Sequence, residues 1–328
     1  MNSYGTLFRV TLYGESHQEA IGIVIDGTPS GIKIDETKIT HDLNLRKPGA
    51  IGTTPRKEAD LFKITSGVFN GYSTGSPIHL TIENQNIKSG DYEKLKNQPR
   101  PGHADFVANQ KYKGFQDFRG GGRFSGRLTA PLVSAGAIAK MIVPFEFSNK
   151  LIQVGSLTDM SKLDSYLEKV AVSGDSIGGI VELTVKNMIV GLGEPFFQKL
   201  DSEIGKMMFS VPAVKGVEIG TGFRGLEMLG SEINDQIIDA TGKTKTNHSG
   251  GVSGGISNGN DLVVRVFIKP TSSIQMKQET FNFETNKVEP LEIGGRHDVC
   301  IARRAGIVLE NALAIVLADL YLLNKAYQ

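Results

Sequence analysis

Apolar runs bounded by Gly, Asn or Pro predict β-strands at Leu7–Leu12, Ile21–Ile25, Ile78–Ile82, Ile180–Val185 and Leu262–Ile268. Apolar residues recurring at three- and four-residue spacing predict helices at Glu36–Leu45, Leu128–Ile142, Leu163–Val170 and Ala305–Ala326. The second and fourth of these are the most apolar. The stretch Ile307–Leu323 approaches the length of a membrane span, but Glu310, Asn311 and Asp319 interrupt it, so it reads as a buried central or interface helix. Strands and helices do not alternate regularly, which argues against a doubly wound parallel sheet and for an α+β protein. No Ser/Pro linker or charge block divides the chain, so residues 1–328 are expected to form a single domain.

The two halves echo each other. Ser-Gly-Val-Phe-Asn-Gly (66–71), the strand Pro77–Glu83, Gly-Gly-Arg (121–123) and an Ala-rich helix follow one another in the first half. Gly-Gly-Ile-Ser-Asn-Gly (254–259), the strand Leu262–Lys269, Gly-Gly-Arg (294–296) and the final helix follow in the same order in the second. The shared order predicts one pseudo-symmetric unit rather than two independent ones.

Charge then narrows the classes of partner. The 36 Lys and Arg nearly balance the 35 Asp and Glu, leaving a net charge of +1, so no global basic field invites nucleic acid or an anionic membrane. Any positive site must be local. Cys300 is the only cysteine, which rules out an intrachain disulfide, and no His-x-His or His-Glu-x-x-His pairing suggests a metal. The opening residues lack the basic-then-apolar layout of a signal peptide, and a cytoplasmic location is expected.

The 39 glycines are the compositional excess, and the chemistry-bearing residues gather around them. Four of the six histidines (His17, His103, His248, His297) lie in glycine-rich turns. Gly14-Glu15-Ser16-His17 follows a strand and presents a ring that titrates near neutrality. Arg46-Lys47-Pro48-Gly49 closes a helix with a rigid cationic corner. Arg100-Pro101-Gly102-His103-Ala104-Asp105 sets a histidine beside a carboxylate that can fix its tautomer for general-acid work. Gly120-Gly121-Gly122-Arg123-Phe124-Ser125-Gly126-Arg127 runs straight into a helix, combining close backbone approach, unpaired N–H groups and bidentate donors, as an anion site requires. It is neither a Walker A loop nor a dinucleotide fingerprint. In the last third, Asn247-His248-Ser249-Gly250-Gly251 precedes the strand that ends in Lys269-Pro270-Thr271-Ser272-Ser273. Hydroxyls beside a lysine suit a cofactor phosphate. Arg296-His297-Asp298 and Arg303-Arg304 complete the set.

Nine motifs, GESH, LRKPG, TGSPI, RPGHAD, GGGRFSGR, KGVEIGTGF, NHSGG, KPTSS and GGRHD, stand in order from residue 14 to residue 298. In this the chain resembles the chorismate synthases. The resemblance implies a β-α-β sandwich, a helical layer between antiparallel sheets. It also implies a 1,4-trans elimination of phosphate from 5-enolpyruvylshikimate 3-phosphate, with reduced FMN as cofactor and no net redox change. By analogy His17 and His103 are the acids and Asp298 the base. Arg46, Arg127 and Arg304, with Arg100, would grip the substrate. Arg123, Phe124, Ser125, Pro212, Ala213, Gly254, Lys269, Pro270, Thr271, Ser272, Ser273 and Arg296 would hold the flavin. A homotetramer is implied, helped by burial of the apolar final helix, and an external flavin reductase is expected because no nicotinamide site is visible. The chain departs from the family at Gln18, where glycine is usual, at Phe124, where serine is common, and at Pro212, where asparagine occurs. Gly52 stands where some members carry an arginine that would touch NADPH.

Overall fold

The computed structural model describes residues 2–54, 59–85, 95–294 and 297–328. Two antiparallel sheets enclose a layer of helices. The first sheet contains β1 (Ser3–Tyr4), β2 (Arg9–Gly14), β3 (Ala20–Asp26), β4 (Phe62–Ser66) and β5 (Ile78–Glu83), in the order β1-β2-β3-β5-β4. The second contains β6 (Glu146–Val154), β7 (Gly179–Lys186), β8 (Val214–Ile219) and β9 (Leu262–Ile268), in the order β8-β9-β7-β6. Register follows the alternation of side chains. Ile21, Ile23 and Ile25 pair with Ile82, Leu80 and Ile78, and all six are fully buried. Val264 and Val266 pair with Leu183 and Val181 in the same way.

The helices between the sheets are α1 (Glu36–Arg46), α2 (Thr129–Lys140), α3 (Leu200–Ser210) and α4 (Ala302–Tyr327). α2 packs on β3 and β5, α4 packs on β6 and β7, and the two helices pack on each other. Their approach is close enough that a Cβ at Gly136 would lie 2.3 Å from Asn311 Cβ, so only glycine fits there. The expected sandwich is therefore present, and each half supplies one sheet. The echoed segments fall on equivalent parts, β5 then α2 and β9 then α4; Gly295 and Arg296 lie outside the described residues.

The final helix is the buried central helix that its interrupted apolar run suggested. By length and composition α4 could cross a membrane, yet its most apolar 18 residues are 83% buried within the protein. Every residue from Gly306 to Leu320 is buried. Over this stretch the apolar surface of the helix is consumed by this chain's own core.

The helix also ties down the other end of the fold. Asp319 on α4 accepts the backbone N–H groups of Thr6 (2.9 Å), Leu7 (2.7 Å) and Phe8 (2.9 Å). Those amides are lost to the ladder, which is why β2 begins at Arg9 and not at Leu7. Several elements were absent from the sequence expectations, among them β6, β8 and α3. β6 is an edge strand whose Glu146, Ser148, Asn149 and Lys150 are exposed, so it carries no alternation. β8 contains Gly216 and a bulge, and α3 contains Gly205.

Candidate active site

The glycine turn between the short helix Asp105–Lys111 and α2 is the centre of the site. Gly120, Gly121 and Gly122 all have left-handed φ values of 59°, 80° and 49°. The turn is tethered to the first sheet by Arg123, which donates from Nη1 to Gly14 O (3.0 Å) and from Nη2 to Leu12 O (2.6 Å). The guanidinium expected to meet a cofactor thus bonds β2 while also lining the larger cavity described below. Ser125 Oγ accepts the N–H of Arg127 at 3.3 Å and so caps the short helical turn that leads into α2.

Both turn histidines lean on these glycines. A Cβ at Gly120 would stand 2.4 Å from Cδ2 and Nε2 of His17, and one at Gly121 would stand 3.6 Å from Cε1 of His103. The absent side chains make room for the two rings on one turn. Gly120→Ala is accordingly expected to cost about 1–3 kcal/mol in stability through its left-handed backbone. By pushing His17 aside it should also lower turnover about tenfold. A thermal melt with steady-state kinetics reads both, and unchanged turnover would show that the contact does not position His17.

His103 is held from its other edge. Its Nδ1 lies 2.6 Å from Asp105 Oδ1, which places the ring proton on Nδ1 and leaves Nε2 facing Gly121. Asp105 is clamped by Arg100 Nε at 2.7 Å and Nη2 at 2.8 Å. Burial alone opposes ionisation of Asp105, but hydrogen bonds and charge from Arg100 and His103 outweigh it and hold the carboxyl well below its ordinary value.

Residues 100–105 are clamped onto the end of β9. Arg100 Nη1 donates to Ser273 Oγ (3.1 Å), while Lys269 Nζ (2.6 Å) and Ser272 Oγ (2.7 Å) donate to Gly102 O. Ala213 O accepts the Lys269 N–H at 3.0 Å, bringing Pro212 and Ala213 beside this segment. Burial first, then the charge of Lys215, lowers the Lys269 pKa.

A cavity of about 170 Å³ opens beside the turn, lined by Ser16, Arg46, Lys47, Pro48, Thr54, Ser125, Gly126, Arg127, Thr271, His297, Asp298 and Arg304. Its contributors span α1, the turn, the end of β9 and the start of α4, and so unite residues more than 250 positions apart. Asp298 is buried: its Oδ1 accepts the Thr54 N–H (2.9 Å) and its Oδ2 accepts from Arg304 Nη2 (2.6 Å). Arg46 and Arg127 share Asp60, a residue that the sequence did not single out. Among the described residues, four cations, Arg46, Lys47, Arg127 and Arg304, stand with two carboxylates, Asp60 and Asp298, an excess of two positive charges. Arg46 Nε, Arg304 Nε and Thr271 Oγ1 are buried without a hydrogen-bond partner among the described residues. Buried donors in that condition are costly unless a ligand or solvent supplies acceptors. A dianionic group supplies both the acceptors and the charge.

A larger cavity of about 650 Å³ meets the same turn at Gly121, Arg123 and Phe124. Its walls are aromatic, including Tyr13, Tyr112, Phe115 and Phe118, and it includes none of the four cations just named. Size does not make it the anion site.

Comparison with known proteins places this geometry in a family. A profile of the chorismate synthase family matches residues 8–322. The chain belongs to that family. A chorismate synthase from Chitinophaga pinensis is 54% identical over 327 residues, covering 99% of this chain and 98% of that protein. One from Methanocaldococcus jannaschii is 42% identical, covering 98% of this chain and 96% of that protein. A solved structure of a chorismate synthase superposes with a TM-score of 0.75 at 26% identity, covering 97% of this chain and 93% of that one.

Most expected site residues of this chorismate synthase family member converge. His17, His103, Ser125 and Arg127 lie at the glycine turn, Arg100 and the segment Lys269–Ser273 at the clamp of residues 100–105, and Arg46, Asp298 and Arg304 line the cationic cavity beside the turn. Gly254 does not join them. It turns the hairpin between Val252–Ser253 and Ile256–Ser257 and borders neither cavity at the turn. His248 lines a separate cavity with Asp235 and hydrogen-bonds Thr221 Oγ1 at 2.8 Å. Phe124 borders the aromatic cavity and not the cationic one. Arg296 lies outside the described residues.

Proposed function

We propose that this chain performs the reaction implied by its family, the 1,4-trans elimination of phosphate from 5-enolpyruvylshikimate 3-phosphate to give chorismate, with reduced FMN bound. The observation that carries the reading is the anion-binding cavity, where buried arginine donors and a positive excess stand beside the turn that holds both histidines. A phosphate leaving group and two substrate carboxylates need such an array. Arg46, Arg127 and Arg304 bind and orient them. His17 and His103 are the acids at the turn; His103 would donate from Nε2 as an imidazolium whose Nδ1–H is held by Asp105. Asp298, whose oxygens are fixed by Thr54 and Arg304, is the proton acceptor.

The donor set also fits a phosphate-bearing flavin. Lys269, Ser272 and Ser273 converge at the end of β9, and Thr271 adds a hydroxyl with no partner among the described residues. These residues, with Pro212, Ala213 and the backbone at Arg123–Ser125, would hold it. Bound reduced FMN would supply an electron-rich ring that assists the elimination without net oxidation. The enzyme is proposed to act in the cytoplasm as a single catalytic domain and a homotetramer. The surface for assembly would include exposed apolar side chains such as Phe223, Leu226 and Leu229.

Anaerobic incubation with the enolpyruvyl substrate tests both the reaction and the source of electrons. Dithionite-reduced FMN should support chorismate formation, whereas NADPH with oxidised FMN should not, since no dinucleotide fingerprint follows a strand. No chorismate with reduced FMN would sink the assigned reaction. Steady turnover on NADPH alone would remove the need for an external flavin reductase.

A further inference from the structure

Arg46 and Arg127 bring two guanidinium groups to one wall of the anion-binding cavity, and like charges so close repel unless something lies between them. Asp60 lies between them. Its Oδ2 accepts from Arg46 Nη2 at 2.6 Å and its Oδ1 accepts from Arg127 Nη1. The Asp60 side chain is 0% exposed, against 5% for Arg46 and 8% for Arg127, and it does not line the cavity. The arginines have further anchors: Arg127 Nε donates to Asn84 Oδ1 at 3.1 Å, and Arg46 Nη1 reaches Thr129 Oγ1 at 3.4 Å. Asp60 itself is held at φ 49°, a left-handed backbone that aspartate and asparagine tolerate better than other L residues. Strain of this kind persists where the surroundings over-determine it. Burial alone would disfavour its ionised form, but Arg46 and then Arg127 more than offset this and lower its pKa.

We propose that Asp60 is a positioning residue that locks Arg46 and Arg127 into one rigid anion clamp for the phosphate-bearing substrate without touching that substrate. The role rests on the anionic-substrate reading above. It differs from a purely structural ion pair in what it controls: the spacing of two donors at the cavity wall.

Asp60→Asn tests it, because asparagine keeps the shape and tolerates the left-handed backbone while turning one acceptor into a donor that faces an arginine. One guanidinium must then swing away. Inorganic phosphate, titrated calorimetrically into the flavin-free chain, is the probe. The variant should bind phosphate about tenfold or more weakly, the effect of losing one charged hydrogen bond. FMN fluorescence quenching should stay within about twofold, since among the described residues Asp60 bonds Arg46 and Arg127 and none assigned to the flavin. Adding Arg127→Gln should cost less phosphate affinity in the variant than in the unmodified chain, because the clamp is already broken. Should Asp60→Asn not fold, Asp60→Glu, which shifts the charge by one methylene, is expected to weaken phosphate in the same direction. Phosphate affinity indifferent to either substitution, or strictly additive losses, would overturn the proposal. A weakened phosphate site supports the clamp whether or not chorismate is formed, so failure of the clamp and failure of the assigned reaction are separable.

Discussion

His103→Ala is expected to fold normally and to lose about 10²–10⁴-fold in turnover, the usual contribution of a general acid. The fold should survive because the turn does not depend on the ring. Arg100 and Asp105 remain bonded at 2.7 and 2.8 Å, and Arg100 still reaches Ser273. What disappears is a titratable nitrogen directed at the glycine turn, with its tautomer fixed by Asp105. Each tenfold in rate corresponds to about 1.4 kcal/mol, so the loss in transition-state stabilisation is about 3–5 kcal/mol. A melting temperature close to that of the unmodified chain would separate this from unfolding. Near-normal turnover would reduce His103 to a turn residue. His103→Gln, which keeps a hydrogen bond to Asp105 but cannot transfer a proton at neutral pH, should be nearly as slow.

Asp298→Asn should lower kcat by about 10²-fold or more, because the amide cannot accept a proton. The structure adds a second expectation. The Asn oxygen can still accept the Thr54 N–H, but its NH₂ would face Arg304 Nη2, donor against donor. Arg304 should turn away, and KM should rise several-fold as one anion contact is lost. A carboxylate that only orients Arg304 would give the raised KM with kcat nearly intact. An unchanged kcat therefore ends the role of Asp298 as a base, whatever happens to KM. Arg304→Lys supplies the complementary reading: KM should rise while kcat is largely kept, since the base is still present.

The sequence was most legible where local physics decides the outcome. β9 occupies Leu262–Ile268, as its apolar run and flanking turn residues indicate, and α1 begins at Glu36, where Asp35 caps it through the Thr37 N–H. β6 was illegible because a bulge between Leu151 and Gln153 shifts its register and Asn149, which bonds Glu310 of α4, is polar, so no apolar alternation shows. The site divides in the same way. His17, His103 and the glycine turn announce themselves through residue types that only a turn with close backbone approach would concentrate. Asp60 announces nothing. Its meaning arises only when α1 and the start of α2 bring Arg46 and Arg127 to it across 14 and 67 positions of chain. Gly254 illustrates the converse, a residue carried over from a motif that the fold sets in a hairpin away from both cavities at the turn.

The seating of α4 between the sheets bears on how a ribosome must make this protein. β1 to β5, α1 and α2 all precede it, and roughly 220 residues separate the end of β5 from its start. At a synthesis rate of about 5–20 residues per second, the first sheet and α2 wait on the order of ten seconds or more for the helix that covers them. During that interval the face of α2 that will receive α4 is bare, and the Thr6–Phe8 amides lack the carboxylate of Asp319. The nascent half-molecule therefore displays an apolar surface to holding chaperones or to its own copies. A chain stopped just short of Ala302 would contain every strand of both sheets, yet lack the 26-residue helix that packs α2 against the second of them.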